Sequence, residues 1–151
     1  MKKNFALIGA CFLALTVAGT AFAHCQVPCG IYDDPARIAQ MREDTATITK
    51  AITKINELAL RHEANAFNQS ARWVATKEAH ASNIIDIVSE YFLTQKLKPV
   101  ASGDEGHAEY LAKLADHHAV LSAAMKTKQG ANSSTASALA AAVDQLAQHW
   151  K

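Results

Sequence analysis

From residue 33 onward the chain carries a seam that only a helix can bury. Asp33-Asp34-Pro35 reads as a helix start, an Asx N-cap with Pro in the first turn. Behind it Ile38, Met41, Thr45, Ile48, Ile52, Ile55 and Ala59 recur at alternating steps of three and four. That spacing lines one face of an α-helix and no face of a strand. A helix with one apolar seam needs partners, and the rest of the chain supplies three.

Residues 63–69, with Asn65 and Asn68, are expected to hold the first turn. A second helix is expected over residues 70–96, with Val74, Ala81, Ile84, Ile85, Val88, Tyr91 and Phe92 on its buried side. Pro99 stops it, and residues 100–106 form a Gly/Ser/Asp linker. The third helix is expected over 107–126, with Leu111, Leu114, Ala115, Leu121 and Met125 inward. Gly130-Ala131-Asn132-Ser133-Ser134 breaks it and caps a fourth helix carrying Leu139, Val143, Leu146 and Trp150. Four amphipathic helices with short connections define an all-α protein. The expected fold over 33–151 is an antiparallel up-and-down four-helix bundle.

A length of 151 residues suits one such domain, and a formal charge of +1 gives no basic face for nucleic acid. There is no Gly-rich phosphate loop, no G-x-S-x-G and no internal repeat. The bundle alone carries no function.

The first 23 residues read as something else. Met1-Lys2-Lys3-Asn4 is a short basic start, residues 5–19 are almost wholly apolar, and Ala21-Phe22-Ala23 ends the run with small residues. This is the pattern of a secretory leader cleaved after Ala23. An uncleaved membrane anchor would need a longer apolar stretch. A lipoprotein signal at Ile8-Gly9-Ala10-Cys11 would leave too little apolar run ahead of Cys11. Cleavage after Ala23 leaves 128 of the 151 residues, starting at His24, with Cys25 and Cys29 as the remaining thiols. The product is expected to be exported, periplasmic or secreted, and not held by a membrane once the leader is gone. A leader read instead by a dedicated processing protease would leave it in the cytoplasm.

Residues 24–32, His24-Cys25-Gln26-Val27-Pro28-Cys29-Gly30-Ile31-Tyr32, then form an amino-terminal hook. It offers the His24 α-amine and imidazole, the Cys25 backbone nitrogen, and the thiolates of Cys25 and Cys29. The amine and the Cys25 nitrogen close one five-membered chelate ring, and the Cys25 nitrogen and sulfur close the next. Pro28 fixes φ and Gly30 permits a tight reversal, which lets Cys29 fold back. A planar set of nitrogen and sulfur donors suits square-planar Ni(II), or Cu(II) in similar geometry, better than tetrahedral zinc. A local Cys25–Cys29 disulfide is the competing reading for two nearby thiols in an exported chain. On residues alone, a structural bundle and an exported helical nickel- or copper-binding or metal-sensing protein without turnover remain alternatives to an enzyme. Tyr32 reads equally as an aromatic covering the bundle end.

The motif His-Cys-x-x-Pro-Cys-Gly-x-Tyr resembles the nickel hook of the nickel-containing superoxide dismutases. Arg72-Trp73-Val74, Thr76-Lys77-Glu78, His80-Ala81, Tyr91-Phe92 and Gln95-Lys96-Leu97-Lys98-Pro99 resemble the second-helix segment of the marine bacterial and cyanobacterial members. The resemblance spans residues 24–151. It implies dismutation of superoxide to O2 and H2O2 by nickel alternating between Ni(II) and Ni(III), one ion per subunit. It also implies a homohexamer of helical bundles. Carried onto this chain, the metal ligands are His24, Cys25 and Cys29, and Tyr32 lines the substrate pocket without ligating the metal.

Two departures stand out. Gln26 occupies a position where the family commonly has Asp. The family's axial imidazole is oriented by a Glu early in the first helix, backed by an Arg in the second. Here the corresponding residues are Gln40 or Glu43, with His80 in the place of the Arg. His62, His107, His117, His118 and His149 read as solvated helix residues. Lys77 and Glu78 read as a surface pair or as contributors to the field near the site.

Overall fold

In the computed structural model, which describes residues 28–150, the N-cap expected at Asp33 is made. Its carboxylate accepts from the Ala36 N–H at 3.0 Å and opens helix α1, Asp34–Leu58. Helix α2 is Ala64–Asp86 and runs on without a break as a π-helical stretch, Ile87–Lys96. Helix α3 is His107–Lys128 and α4 is Ser133–Leu146, followed by a single 3-10 turn, Ala147–His149. Among the described residues there is no strand, and no helix is long and apolar enough to cross a membrane.

The chain divides into two units, Met1–Ile31 and Tyr32–Lys151. The leader expected over 1–23, with Cys11, and the hook residues His24 and Cys25 lie outside the described residues. What is described of the first unit is a turn, in which the Ile31 N–H donates to the Pro28 carbonyl at 3.1 Å. Its two central residues have positive φ, Cys29 at 43° and Gly30 at 94°. That is the dihedral pattern of a type I′ turn, and Gly30 is the residue that adopts it without strain.

The second unit is the bundle. Each helix packs on its neighbours in sequence, and α1 closes the ring against α4. The pairings run in opposite directions. Arg42, early in α1, meets Asp144, late in α4, at 2.9 Å, while Asn56 near the end of α1 donates to the Ala131 carbonyl ahead of α4. The core holds Ile38, Met41, Ile48, Ile52, Ile84, Val88, Phe92, Val120, Leu139, Val143 and Leu146. Fully burying side chains of this size contributes about 1.5–3 kcal/mol each, so the seams are the main driving force.

Three expectations need correction. Helix α2 begins at Ala64, so the first turn occupies residues 59–63 and Val74 faces largely outward. Helix α3 is rolled relative to the stripe expected from its leucines. It buries His117, Val120, Ala123, Ala124 and Thr127, whereas Leu111 is 49% and Met125 44% exposed. The small residues of that inner face let the helices approach closely. Within the helix Thr127 Oγ1 donates to the Ala124 carbonyl, and one ring nitrogen of His117, Nδ1, lies 2.6 Å from the Lys113 carbonyl.

Lys77 is no surface residue. It is 3% exposed, and its ammonium donates to the carbonyls of Thr127 and Lys128 and to Glu78. It thereby caps the end of α3, where carbonyls lack intrahelical donors and the helix dipole favours a cation.

Candidate metal centre

Cys29 is exposed at the second position of the Pro28–Ile31 turn. A left-handed cysteine is held where a short turn, and not a helix, dictates the backbone. Of the four site residues expected from sequence, Cys29 and Tyr32 are described. Among the described residues, no group of three or more His, Cys, Asp or Glu side chains is placed to hold a metal ion. The exposed Cys29 thiol has the chemistry of a donor to a soft or borderline metal ion.

Tyr32 opens the bundle unit, and its surroundings are well defined. Its ring meets Tyr91 edge to face, with centroids 5.6 Å apart. The Lys96 ammonium stands 4.7 Å from the Tyr32 ring centroid, a cation–π distance. One residue explains this assembly. Asp34, in the first turn of α1, accepts the Tyr91 hydroxyl at 2.6 Å on Oδ1 and pairs with Lys96 at 2.9 Å on Oδ2. Arg37, one turn on, covers the Tyr91 ring at 5.5 Å and donates to Gln40 at 3.1 Å.

Burial, together with the hydrogen bond and charge of Asp34, pushes the Tyr91 hydroxyl far above its ordinary range, so it stays protonated. Tyr91 read from sequence as a residue on the buried side of the second helix. It is both core and floor of the Tyr32 environment. No pattern in the sequence marks it, because its role comes from Asp34, 57 residues away.

The second cluster lies between α1 and α2. Asp44 is buried, with His80 Nδ1 at 2.6 Å from Oδ1 and Asn83 Nδ2 donating at 2.6 Å to Oδ2. Gln40, Asp44, His80 and Asn83 line one cleft of about 330 Å3. Glu43 is exposed and takes no part in this cluster. The partner of His80 is thus Asp44, which the sequence reading passed over. The signal was present: Asp44 falls three residues after Met41 and four before Ile48, on the buried seam itself.

The remaining histidines also divide. His117 is fully buried, against expectation, and burial lowers its pKa from 6.5. His149 Nε2 lies 2.7 Å from Asp116 and holds that carboxyl below the usual range.

The described residues form an all-α bundle preceded by a cysteine-bearing reversed turn, with Tyr32 packed on Tyr91. The family model of nickel-containing superoxide dismutase matches residues 19–151, and the chain belongs to that family. It is accordingly an enzyme of the superoxide dismutase class with nickel as its cofactor. No curated protein and no solved structure matches the chain.

Proposed function

We propose that this chain dismutates superoxide at nickel held by His24, Cys25 and Cys29 after removal of residues 1–23. The observation that carries the reading is the Cys29–Gly30 reversed turn, inside a motif whose donors are otherwise the new amino terminus, an imidazole and a second thiolate. Nickel, when bound to such donors, supplies one-electron exchange between the +2 and +3 states, so that two superoxide anions and two protons become O2 and H2O2. Cys29 contributes a thiolate, presented at the outside of its turn.

The chain's other residues act on the anion and its protons. The Tyr32 hydroxyl lies on the substrate path and orders the anion's approach. Lys96, fixed by Asp34 over the Tyr32 ring, adds a positive charge that draws anions toward this end of the bundle. Tyr91 keeps its proton and holds the Tyr32 ring in place.

The leader directs export to the periplasm or beyond and is removed by a processing protease. The subunits assemble as a homohexamer. Leu111 and Met125 on α3, and Phe67 and Val74 on α2, are exposed large apolar side chains that assembly would cover.

The test is intact mass and nickel content of protein from its native host, followed by superoxide decay. A chain beginning at His24 with one nickel per subunit is the expected result. One extra residue ahead of His24 blocks the amine and should abolish activity while the bundle stays folded. Full activity of that extended form would exclude the amine as a ligand, and nickel held without turnover would identify a metal-binding or metal-sensing protein.

A further inference from the structure

A ladder of rings runs from Tyr32 into the core and out again. Tyr32 meets Tyr91 at 5.6 Å, Tyr91 meets Phe92 at 4.9 Å, and Phe92 meets Trp150 at 5.0 Å, centroid to centroid. Packing accounts for rings in contact. It does not account for the polar atoms at the two ends. The Tyr91 hydroxyl is provided with a base, Asp34, at 2.6 Å. At the other end His117 Nε2 and Trp150 Nε1 are, among the described residues, the buried side-chain polar atoms without a hydrogen-bond partner. Their rings stand edge to face at 5.7 Å. His117 directs Nδ1 to the Lys113 carbonyl, so Nδ1 carries the proton and Nε2 keeps its lone pair. Tyr91 thus has a carboxylate at hydrogen-bond distance and the Trp150 ring has the His117 imidazole against it, without a direct hydrogen bond between them, and natural proteins rarely leave such atoms unmatched without a use.

We propose that this ladder is an electron path that clears one-electron oxidation from Tyr32, with Trp150 as its outlet and a small anionic reductant as its electron source. The path rests on the dismutase reading for the origin of the oxidant, a hydroxyl radical formed when a further superoxide anion gives one electron to the peroxide product, with O2 and hydroxide leaving. That radical takes a hydrogen atom from the Tyr32 hydroxyl and becomes water. Tyr91 then passes an electron to Tyr32, which takes a proton from solvent, while the Tyr91 proton moves to Asp34. Trp150 passes an electron to Tyr91 through Phe92. Asp34 returns the proton to Tyr91, and the indole N–H proton goes to His117 Nε2. A reductant anion finally gives Trp150 an electron, His117 returns the proton, and the reductant's own proton goes to solvent. The sum is one hydroxyl radical and one ascorbate monoanion giving water and one ascorbyl radical anion.

The surroundings of Trp150 fit both halves of that role. Lys96 and Lys113 place ammonium groups 5.8 and 5.7 Å from its centroid, which makes an indole radical cation costly and couples oxidation to loss of the N–H proton. Trp150 also lines a cleft of about 300 Å3 with Lys96, Lys98, Tyr110 and Lys113. Glu109 lines it too and is paired with Lys113 at 2.7 Å, so the cleft's balance stays cationic and suits an anion of ascorbate's size.

The experiment is flash oxidation of the holoenzyme by a photogenerated one-electron oxidant, with ring-deuterated tryptophan, read by freeze-quench electron paramagnetic resonance and transient absorption. The expected result is an indole radical on Trp150 that ascorbate quenches. Trp150→Phe should leave a tyrosyl radical that lives several-fold longer and no longer responds to ascorbate. Trp73→Phe, which alters a ring beside Lys50 and outside the ladder, should change nothing. A radical seated on Trp73, or identical tyrosyl decay in wild type and Trp150→Phe, overturns the proposal. If Trp150→Phe does not fold, the deuterium signature of the wild-type and Trp73→Phe proteins decides the matter. Because the oxidant is supplied from outside, superoxide decay in the same samples judges the dismutase reading separately.

Discussion

The Tyr91 hydroxyl donates to Asp34 Oδ1 at 2.6 Å, and the other oxygen of the same carboxylate holds Lys96. One first-turn aspartate therefore joins the start of α1 to the end of the second helical element and fixes both groups that touch the Tyr32 ring. Asp34→Asn should cost about 1.5–3 kcal/mol, the range for a hydrogen bond to a charged group. It should also lower the titration of Tyr91 toward the ordinary phenol value without reaching it, because burial, the larger cause of its shift, remains. Ultraviolet titration reads that change, and an unmoved Tyr91 would refute the assignment.

Cys29→Ser should abolish nickel binding and leave the far-ultraviolet helix signal intact, since Cys29 lies in an exposed turn and contributes nothing to the core. Gly30→Ala should act in the same direction. Gly30 sits at φ 94°, where an added Cβ is strained by about 1 kcal/mol or more. Loss of nickel without loss of helicity is the outcome to look for in both.

Lys77→Met should be among the most damaging single changes in the bundle. It leaves the carbonyls of Thr127 and Lys128 without their donor, at about 1–3 kcal/mol for each group that stays dry. Glu78→Ala removes only a partly exposed partner and should cost less than about 1 kcal/mol. Urea midpoints of the two variants give the comparison, and similar values would contradict a buried cap.

Asp44 and His80 should be energetically coupled. A double-mutant cycle with Asp44→Ala and His80→Ala is expected to give an interaction of about 0.5–3 kcal/mol, typical of residues in one hydrogen-bond network. Glu43→Ala should couple to neither.

Folded-state stability should fall with acidification in two windows. His117 binds its proton less readily when folded than when unfolded, because burial penalises the imidazolium. Below 6.5 the unfolded chain takes up protons that the folded chain refuses, so stability is full above that pH and declines beneath it. Asp116, lowered from 3.8 by His149, adds a second loss below 3.8, where the unfolded carboxyl protonates first. Melting temperature against pH measures both, and His117→Phe should flatten the upper window alone.

The four helices were legible because their seams repeat at helical spacing and their caps are written in local chemistry. Asp33, Pro35 and Asn132 do as expected. The roll of α3 was not legible. Leu111, Leu114 and Met125 outrank Ala123, Ala124 and Thr127 in hydrophobicity, and the choice between two stripes depends on how closely neighbours approach. His117 and Lys77 were misplaced for a related reason. Lys77 Nζ and His117 Nδ1 find carbonyls of the very helix they join or belong to, and carbonyls are invisible in a list of side chains. In the site, the hook motif was plain in sequence. Asp44, Asp34 and Tyr91 gain their parts only when distant helices meet.

The π-helical stretch Ile87–Lys96 bears on how such a chain tolerates change. Side-chain bonds there span five residues, as from Gln95 to the Glu90 carbonyl and Thr94 to the Ser89 carbonyl. The wider turn stacks Tyr91 above Lys96, five positions apart, and so lets a single carboxylate reach both. Deleting one residue within it and closing the gap as ordinary α-helix would turn everything beyond by about 100°. The residue count of this one segment is thus set by the contact that Tyr91 and Lys96 share at Asp34.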